Sequence, residues 1–310
     1  MTTFYKEILP EVLILILNYN QKNDTLACIE SLGKLSYSNF RVLLIDNNSQ
    51  DASAEAVLQK FPKVTVIKSK INLGCAGGRN VGIEYFLKQT KADYLFFLDN
   101  DTVVDRGLLN ELVHKGESDS DIGVVSLKAY YFNQPNKFWF VGGAKINWRE
   151  GNFYNSGQGE VDRGQFDQDK EIDSVPGGFT FIKRRVLEIV GKIDERYFIY
   201  YEDSDWCVRV KRAGYKIAFA PNAKLWHKAS SSLGMESPSF YYYRARNRLF
   251  FMLKNAPKFY LPIFFIYFFY DFSYRTLLTL YLSKKNQEFK TALAGVKDFL
   301  KGINGERVFS

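Results

Sequence analysis

Runs of consecutive apolar residues recur through the first half of the chain, at 12–17 (VLILIL), 41–45 (RVLLI), 64–67 (VTVI), 94–98 (YLFFL) and 122–127 (IGVVSL). They have the length of strands. They are also apolar on successive residues rather than on alternate ones, the pattern of strands covered on both faces. More polar segments separate them. Leu26, Ile29 and Leu32 recur at helical spacing before a stop at Gly33, and residues 51–60 and 79–89 also read as helices. Buried strands alternating with helices predict an α/β fold, a doubly wound, mostly parallel sheet with helices on both faces. Such sheets bind ligands beyond the carboxyl ends of their strands.

Those ends carry unusual chemistry. The first strand runs into Asn18-Tyr19-Asn20 and the second into Asp46-Asn47-Asn48-Ser49-Gln50-Asp51. The third leads to Asn72-Leu73-Gly74-Cys75-Ala76-Gly77-Gly78-Arg79-Asn80, and the fourth to Asp99-Asn100-Asp101. Two carboxylates this close need a positive counterpart, which can be a Lys or Arg, solvent around a turn, or a metal ion.

Regularity weakens over 128–172, where Tyr, Phe, Gly and Asn mix with Trp139 and Trp148. That composition suits a carbohydrate-facing surface and equally an ordinary loop. Structure resumes at 175–183, and a helix is expected from Asp203 to Ala213, with Trp206, Val210 and Ala213 facing the core and Gly214 as its stop. Residues 230–239 (SSSLGMESPS) read as a mobile link. Beyond it, FYLPIFFIYFFY (259–270) has no charge, and apolar residues continue to Leu282 past Asp271 and Arg275. A spanning helix needs about 20 apolar residues, and two charges near its middle are costly. With Lys254, Lys258, Lys284 and Lys285 flanking it, the segment suits a helix lying on an anionic membrane surface. A buried core helix or a dimer interface satisfies the same pattern.

Composition narrows the partners. The net charge of +8 admits nucleic acid, anionic membrane or phosphorylated small molecules, and the 27 Phe and 20 Tyr supply aromatic surface. Cys28, Cys75 and Cys207 are widely spaced and form no CxxC pair, so neither a disulfide framework nor a structural zinc site is indicated, and a reducing cytosol is expected. The N-terminus lacks a basic n-region, and the apolar run 12–17 is short for a signal peptide. Arg244, Arg246 and Arg248 sit among aromatics in YYYRARNRLFF, yet no RNP-like, helix-turn-helix or zinc motif accompanies them, which argues against nucleic acid.

Several stretches carry candidate chemistry. GCAGGRN follows a strand and opens a helix, where backbone N–H groups can approach phosphate, although it matches neither GxGxxG nor the P-loop. Asp99 and Asp101 at a strand end suit Mg²⁺ or Mn²⁺ with substrate phosphates completing the shell. Glu202, Asp203 and Asp205 open a helix; capping needs fewer acids than three, so one can serve as a general base. His227 follows an apolar strand among basic residues and suits a metal or phosphate contact, while His114 sits on an exposed helix and is assigned nothing.

In this order and spacing, the N-x-N after the first strand, IDNNSQD, NLGCAGGRN, LDNDTVV, GGF, DERYFIYYEDSDWCVR and WH resemble the family-2 glycosyltransferases over roughly residues 12–250. The tail ALAGVKDFLKGINGE and the Tyr-Arg-x-Arg-Asn stretch are similar to the rhamnosyltransferase-like branch. The resemblance implies a GT-A fold and a role for each matching position. Asp46 would bind the uracil or thymine ring, with Asn18 and Asn20 lining the nucleotide pocket and Gly78, Arg79, Asn80 and Asn100 beside the diphosphate and base. Asp99 and Asp101 would form the DxD, with Asp101 touching Mg²⁺ or Mn²⁺ and His227 completing the contacts. Asp203 would be the catalytic base. Gly177, Gly178, Glu202, Trp206 and Arg246 would lie where donor sugar and acceptor meet.

The resulting expectation is an inverting, metal-dependent glycosyltransferase. Residues 1–238 would form the GT-A domain, with a nucleotide half at 1–127 and an acceptor half at 128–238, and 239–310 a helical membrane-associating or oligomerising region. Its donor would be a UDP- or dTDP-sugar such as dTDP-rhamnose, and its acceptor a lipid-linked or growing glycan at the inner face of the cell membrane. The Q-x-x-R-W motif of processive synthases is absent, so single-sugar addition is expected. A nucleotidyltransferase would want a basic Gly-rich loop after the first strand, where this chain has Asn-Tyr-Asn-Gln. A non-catalytic sugar-nucleotide binder or membrane scaffold is the other alternative.

Overall fold

A computed structural model describes residues 9–168, 172–229 and 237–307. Most of the link expected to be mobile, 230–236, lies outside the described residues. The N-terminal strands and helices follow one another as β1 (Val12–Asn18), α1 (Lys22–Leu32), β2 (Phe40–Asp46), α2 (Ser53–Lys60), β3 (Thr65–Lys68), α3 (Gly74–Gln89) and β4 (Tyr94–Asp99). After them come β5 (Thr102–Val104), α4 (Leu108–Glu117), β6 (Ile122–Tyr131), β7 (Gln134–Val141), a small hairpin of β8 (Ala144–Asn147) and β9 (Asn152–Asn155), and β10 (Phe179–Lys183). The α5 helix (Arg184–Val190), α6 (Glu202–Arg212) and β11 (Lys216–His227) complete the sheet domain.

The main sheet has the order β3-β2-β1-β4-β10-β6-β11-β5, with β7 paired to β6. From β3 to β4 it is parallel, and the doubly covered strands explain the uninterrupted apolar runs. Val12, Ile14 and Ile16 face one core with α1, while Leu13 and Leu15 face the other with α3. The expected mostly parallel sheet is mixed in detail, because β10 runs antiparallel between β4 and β6. The chain stays near the carboxyl edge of the sheet from the end of β6 onward and re-enters at Phe179, opposite Leu98 near the end of β4. Entering from that edge without a crossover helix leaves only the antiparallel direction.

The α3 helix begins at Gly74, earlier than expected, so the Gly-rich stretch is helix and not loop. Its glycines let the helix lie close on β1: a Cβ at Gly82 would come within 1.7 Å of Leu15 Cδ1, and one at Gly78 within 2.4 Å of Leu17 Cδ1. Gly82→Ala is expected to lower stability by about 1–3 kcal/mol through overpacking, read as a shift in the urea midpoint at unchanged slope.

Beyond Pro238 the chain forms α7 (Pro238–Asn255), α8 (Leu261–Tyr270), a π-helical stretch (Asp271–Leu278), α9 (Thr279–Leu282) and α10 (Asn286–Leu300). Residues 261–282 make one unbroken helix, and among the described residues no helix is long and apolar enough to cross a membrane. Phe264, Phe268 and Leu280 turn inward, and Phe264 and Phe268 pack with Leu249, Phe251 and Met252 of α7. The mid-segment charge is internal as well, because Asp271 pairs with buried Arg248 at 2.6 Å. Arg248→Met would strand that carboxylate, with exposed Arg275, 3.6 Å away, its remaining ion-pair partner among the described residues. A loss of about 3 kcal/mol is expected by chemical denaturation.

Candidate functional site

Strand register assembles the site. Asn18 pairs with Asp46, and Leu17 with Asp99, so three strand ends finish level at one edge. At the β1–β2 end, Asn18 is fully buried and its Nδ2 donates to Asp46 Oδ1 (3.2 Å) and Ser49 Oγ (3.0 Å). Its Oδ1 accepts from Asn100 Nδ2 (2.8 Å) and Thr25 Oγ1 (2.7 Å). Asn18 and Asn100 therefore hold the strand ends in position and do not line an open pocket. Asn20 sits in the left-handed region (φ 60°), its backbone N–H on Ser49 Oγ and its Oδ1 accepting from the Gln50 N–H. Ser49 thus organises this corner, a role the sequence reading missed.

The DxD corner is closed by β5, which pairs antiparallel with β11 and sets Thr102 opposite His227. That register brings His227 Nε2 to 2.9 Å from Asp101 Oδ1. Ligand atoms of Asp99, Asp101 and His227 all lie within 4.8 Å of one another. Trp139 and Phe179 box the imidazole edge-on at 4.4 and 5.4 Å between ring centroids, and its Nδ1 is buried without a partner. Trp139 came from the aromatic-rich stretch whose two readings the sequence left open.

Arg79 spans the cleft. Its side chain is only 7% exposed, and it reaches Asp99 at 3.4 Å and Glu202 at 3.3 Å. The two glycines opposite exist for this arrangement: a Cβ at Gly177 would lie 2.2 Å from the guanidinium, and one at Gly178 2.0 Å from the Asp99 carboxylate. Asp203 stands just beyond, its Oδ2 accepting from the Gly177 N–H (3.2 Å) and its Oδ1 from the Ser204 N–H (2.6 Å). Withdrawal from water raises the pKa of both Asp99 and Asp203, and it pushes Glu202, beside the Asp203 charge, up to about 8. Glu202 Oε2 has no hydrogen-bond partner. Arg79 thus answers part of the positive-partner question, and His227 gives Asp101 a hydrogen-bond partner. Even with Glu202 protonated, the carboxyl groups of Asp99, Asp101 and Asp203 outnumber the one guanidinium. With two carboxylates and an imidazole converging, the residues present fit a divalent cation.

Three expected site residues lie elsewhere. Asn80 is held by the turn before α6, donating to Ile193 O and Glu195 Oε1 (both 2.8 Å) and accepting from the Ile193 N–H; one residue past Arg79 on a helix, it points about 100° away. Trp206 is 3% exposed in the core with its indole on Gly191 O, one helical turn deeper than the acids at the sheet edge. Arg246 is 2% exposed and spends its guanidinium on backbone carbonyls. Ala213, expected in the core, is exposed beyond the end of α6.

A mostly parallel sheet with acids and amides gathered at one edge, and an acidic cluster beside a basic bridge, is the arrangement the GT-A expectation requires. The chain belongs to glycosyl transferase family 2, whose model matches residues 13–190. It is 25% identical over 299 residues to the dTDP-rhamnosyl transferase RfbF of Shigella flexneri, covering 94% of this chain and 95% of that one. Among solved structures, residues 1–349 of S. aureus TarS, also seen with UDP-GlcNAc, superpose with a TM-score of 0.58 at 17% identity over 94% of this chain and 81% of that one. The mannosyltransferase PcManGT from Pyrobaculum calidifontis, in complex with GDP-Man and Mn²⁺, gives 0.53 at 16% identity over 94% and 75%.

Proposed function

We propose that the chain transfers a single sugar, with inversion, from a UDP- or dTDP-sugar to a hydroxyl of a lipid-linked or growing glycan, with dTDP-rhamnose the first donor to try. The observation that carries this reading is the placement of the Asp99–Asp101–His227 cluster and Asp203 on either side of Gly177–Gly178, with Arg79 between them. The rhamnosyl relative, aligned over nearly its whole length, supports the dTDP-sugar.

Asp99, Asp101 and His227 would hold Mg²⁺ or Mn²⁺, and the imidazole in the set favours Mn²⁺. When bound, that cation supplies positive charge to the departing diphosphate. Lacking side chains, Gly177 and Gly178 let Arg79 and Asp99 pack directly against this stretch of backbone. Asp203, held by two backbone N–H groups, takes the proton from the acceptor hydroxyl as that oxygen attacks the anomeric carbon from the far face.

Beside Asp203 opens a cavity of about 900 Å³ between the β8–β9 hairpin, α7 and the π-helical stretch. Tyr154, Tyr200 and Tyr241 give it aromatic walls and Arg244 a cationic one, a lining suited to an acceptor saccharide. The outer side of the same helix carries Ile266, Phe269 and Leu282, and Phe259 lies in the turn just before it, each about 70% exposed. Lys258 and Lys284 flank this apolar strip, which supports attachment to an anionic membrane surface at the cytoplasmic face. Ile266→Asp with Phe269→Asp is expected to abolish flotation with phosphatidylglycerol vesicles and leave nucleotide affinity unchanged. Unchanged flotation would return the strip to a dimer interface, visible as a concentration-dependent mass.

Calorimetric titration with UDP and dTDP, each with and without Mn²⁺, tests the function. Binding of one nucleotide that requires the metal is expected. Binding of neither moves the protein to a membrane scaffold.

A further inference from the structure

The loop that delivers Glu202 and Asp203 is strained. Phe198, Tyr200 and Tyr201 have φ of 65°, 64° and 72°, a left-handed conformation that bulky aromatic residues avoid. Such backbone is unfavourable for these residues, so the shape persists only if the surroundings impose it. Tyr201 immediately precedes α6, which means its backbone angle sets the direction in which the first helical turn, with Asp203 on it, leaves the loop.

The restraint comes from two adjacent buried residues of α7. Asn247 is 0% exposed, and its Nδ2 donates to the carbonyls of Tyr197 (2.9 Å), Ile199 (2.7 Å) and Tyr200 (2.9 Å). Arg246 Nη2 donates to the carbonyls of Arg196 (3.2 Å) and Tyr197 (2.9 Å), and Nη1 to Gly305 O (2.7 Å). Arg246 Nε also donates to Asn247 Oδ1 at 2.9 Å, which orients that amide with its NH₂ toward the loop. On the loop's other side, Phe198 O accepts from the Ala76 N–H at 3.2 Å, and Ala76 lies on the helix that carries Arg79. One short loop is thereby tied to the donor side through α3 and to the C-terminal region through α7.

We infer that Asn247 and Arg246 are positioning residues of the transfer step. They hold Tyr197–Tyr201 in the strained shape that places Asp203 against Gly177, and neither reaches the cleft itself. This rests on the transferase reading of the site. Without the Asn247 donors the Ile199 and Tyr200 carbonyls lose that partner while Tyr197 O keeps Arg246 Nη2, the aromatic residues relax toward negative φ, and the first turn of α6 shifts. The nucleotide corner, built from β1, β2 and β4, would stay as it is.

The test compares Asn247→Leu, similar in volume but without donors, with Met252→Ala, a core truncation on the same helix at a residue 0% exposed. Two quantities are measured: Mn²⁺-dependent release of dTDP from dTDP-rhamnose with water as acceptor, and calorimetric affinity for dTDP with Mn²⁺. For Asn247→Leu we expect kcat to fall about 100-fold while nucleotide affinity stays within about two-fold. Met252→Ala should lose thermal stability yet keep its kcat below its unfolding temperature. A folded Asn247→Leu with wild-type kcat overturns the inference. So does one whose kcat and nucleotide affinity fall together. If Asn247→Leu does not fold, Arg246→Lys, which retains the charge but loses the fork, carries the same expectation with a fall of about 10-fold and the same overturning results. Failure of the transferase reading is separate, since wild type would then bind neither UDP nor dTDP in the presence of Mn²⁺.

Discussion

Asp101→Ala is expected to reduce Mn²⁺-dependent nucleotide affinity by about 100-fold or more, roughly 3 kcal/mol, and to abolish sugar transfer. The reason lies in the geometry around it. Asp101 is 5% exposed, its carboxylate is 2.9 Å from His227, and both belong to the one cluster among the described residues able to hold a cation. Removing it leaves Asp99, already engaged with Arg79, and an imidazole without its carboxylate. Two donors cannot replace three. Affinity should then become insensitive to added Mn²⁺, and titration of the variant with dTDP at several Mn²⁺ concentrations checks this. A wild-type Mn²⁺ response in Asp101→Ala would remove the metal assignment from this corner.

Asp203→Asn should separate binding from chemistry. The amide has the same shape, and Gly177 and Ser204 lie on the acceptor side of the site, so nucleotide affinity is expected to stay within about two-fold. Transfer should fall by about 10²–10⁴-fold, the range for loss of a positioned general base. The pH profile carries the same signature. Burial raises the Asp203 pKa, which favours its protonated form, and only the ionised form can accept the acceptor's proton. In wild type, kcat therefore rises with pH along a limb displaced above the usual carboxylate range, and that limb disappears in Asp203→Asn. Retention of the limb would assign the base to another group, with Glu202, at about 8, the first to examine.

How much of this was legible beforehand depends on the range of the interaction involved. The apolar runs marked β1 to β4 to within a residue or two, most plainly in β1 and β4, where burial on both faces asks for apolar residues at successive positions. That the ends of those strands carry the chemistry also followed from local sequence, because in a parallel stretch all the carboxyl ends share one edge. The pairing of Asp101 with His227 was not legible in that way. It depends on β5 meeting β11 across 126 positions, and only the resemblance to a family hinted at it. Side-chain direction on helices was legible least. Arg79 and Asn80 are neighbours in one motif, yet one enters the cleft and the other pins a turn. Arg246 sat in a recognisable motif and was assigned to substrate, whereas its buried guanidinium serves the loop carbonyls.

The sequence by itself determined the α/β class, the edge at which the acids and amides collect, and the presence of an aromatic C-terminal region with basic flanks. These follow from periodicity and composition, which act over a few residues. Only the tertiary structure decided that β10 reverses direction, that Gly177 and Gly178 give way to Arg79 and Asp99, and that α7 grips the loop behind Asp203. Each of these is set by contacts between segments tens to more than a hundred residues apart, where the volume and hydrogen-bonding needs of one segment are met by another that local pattern does not record.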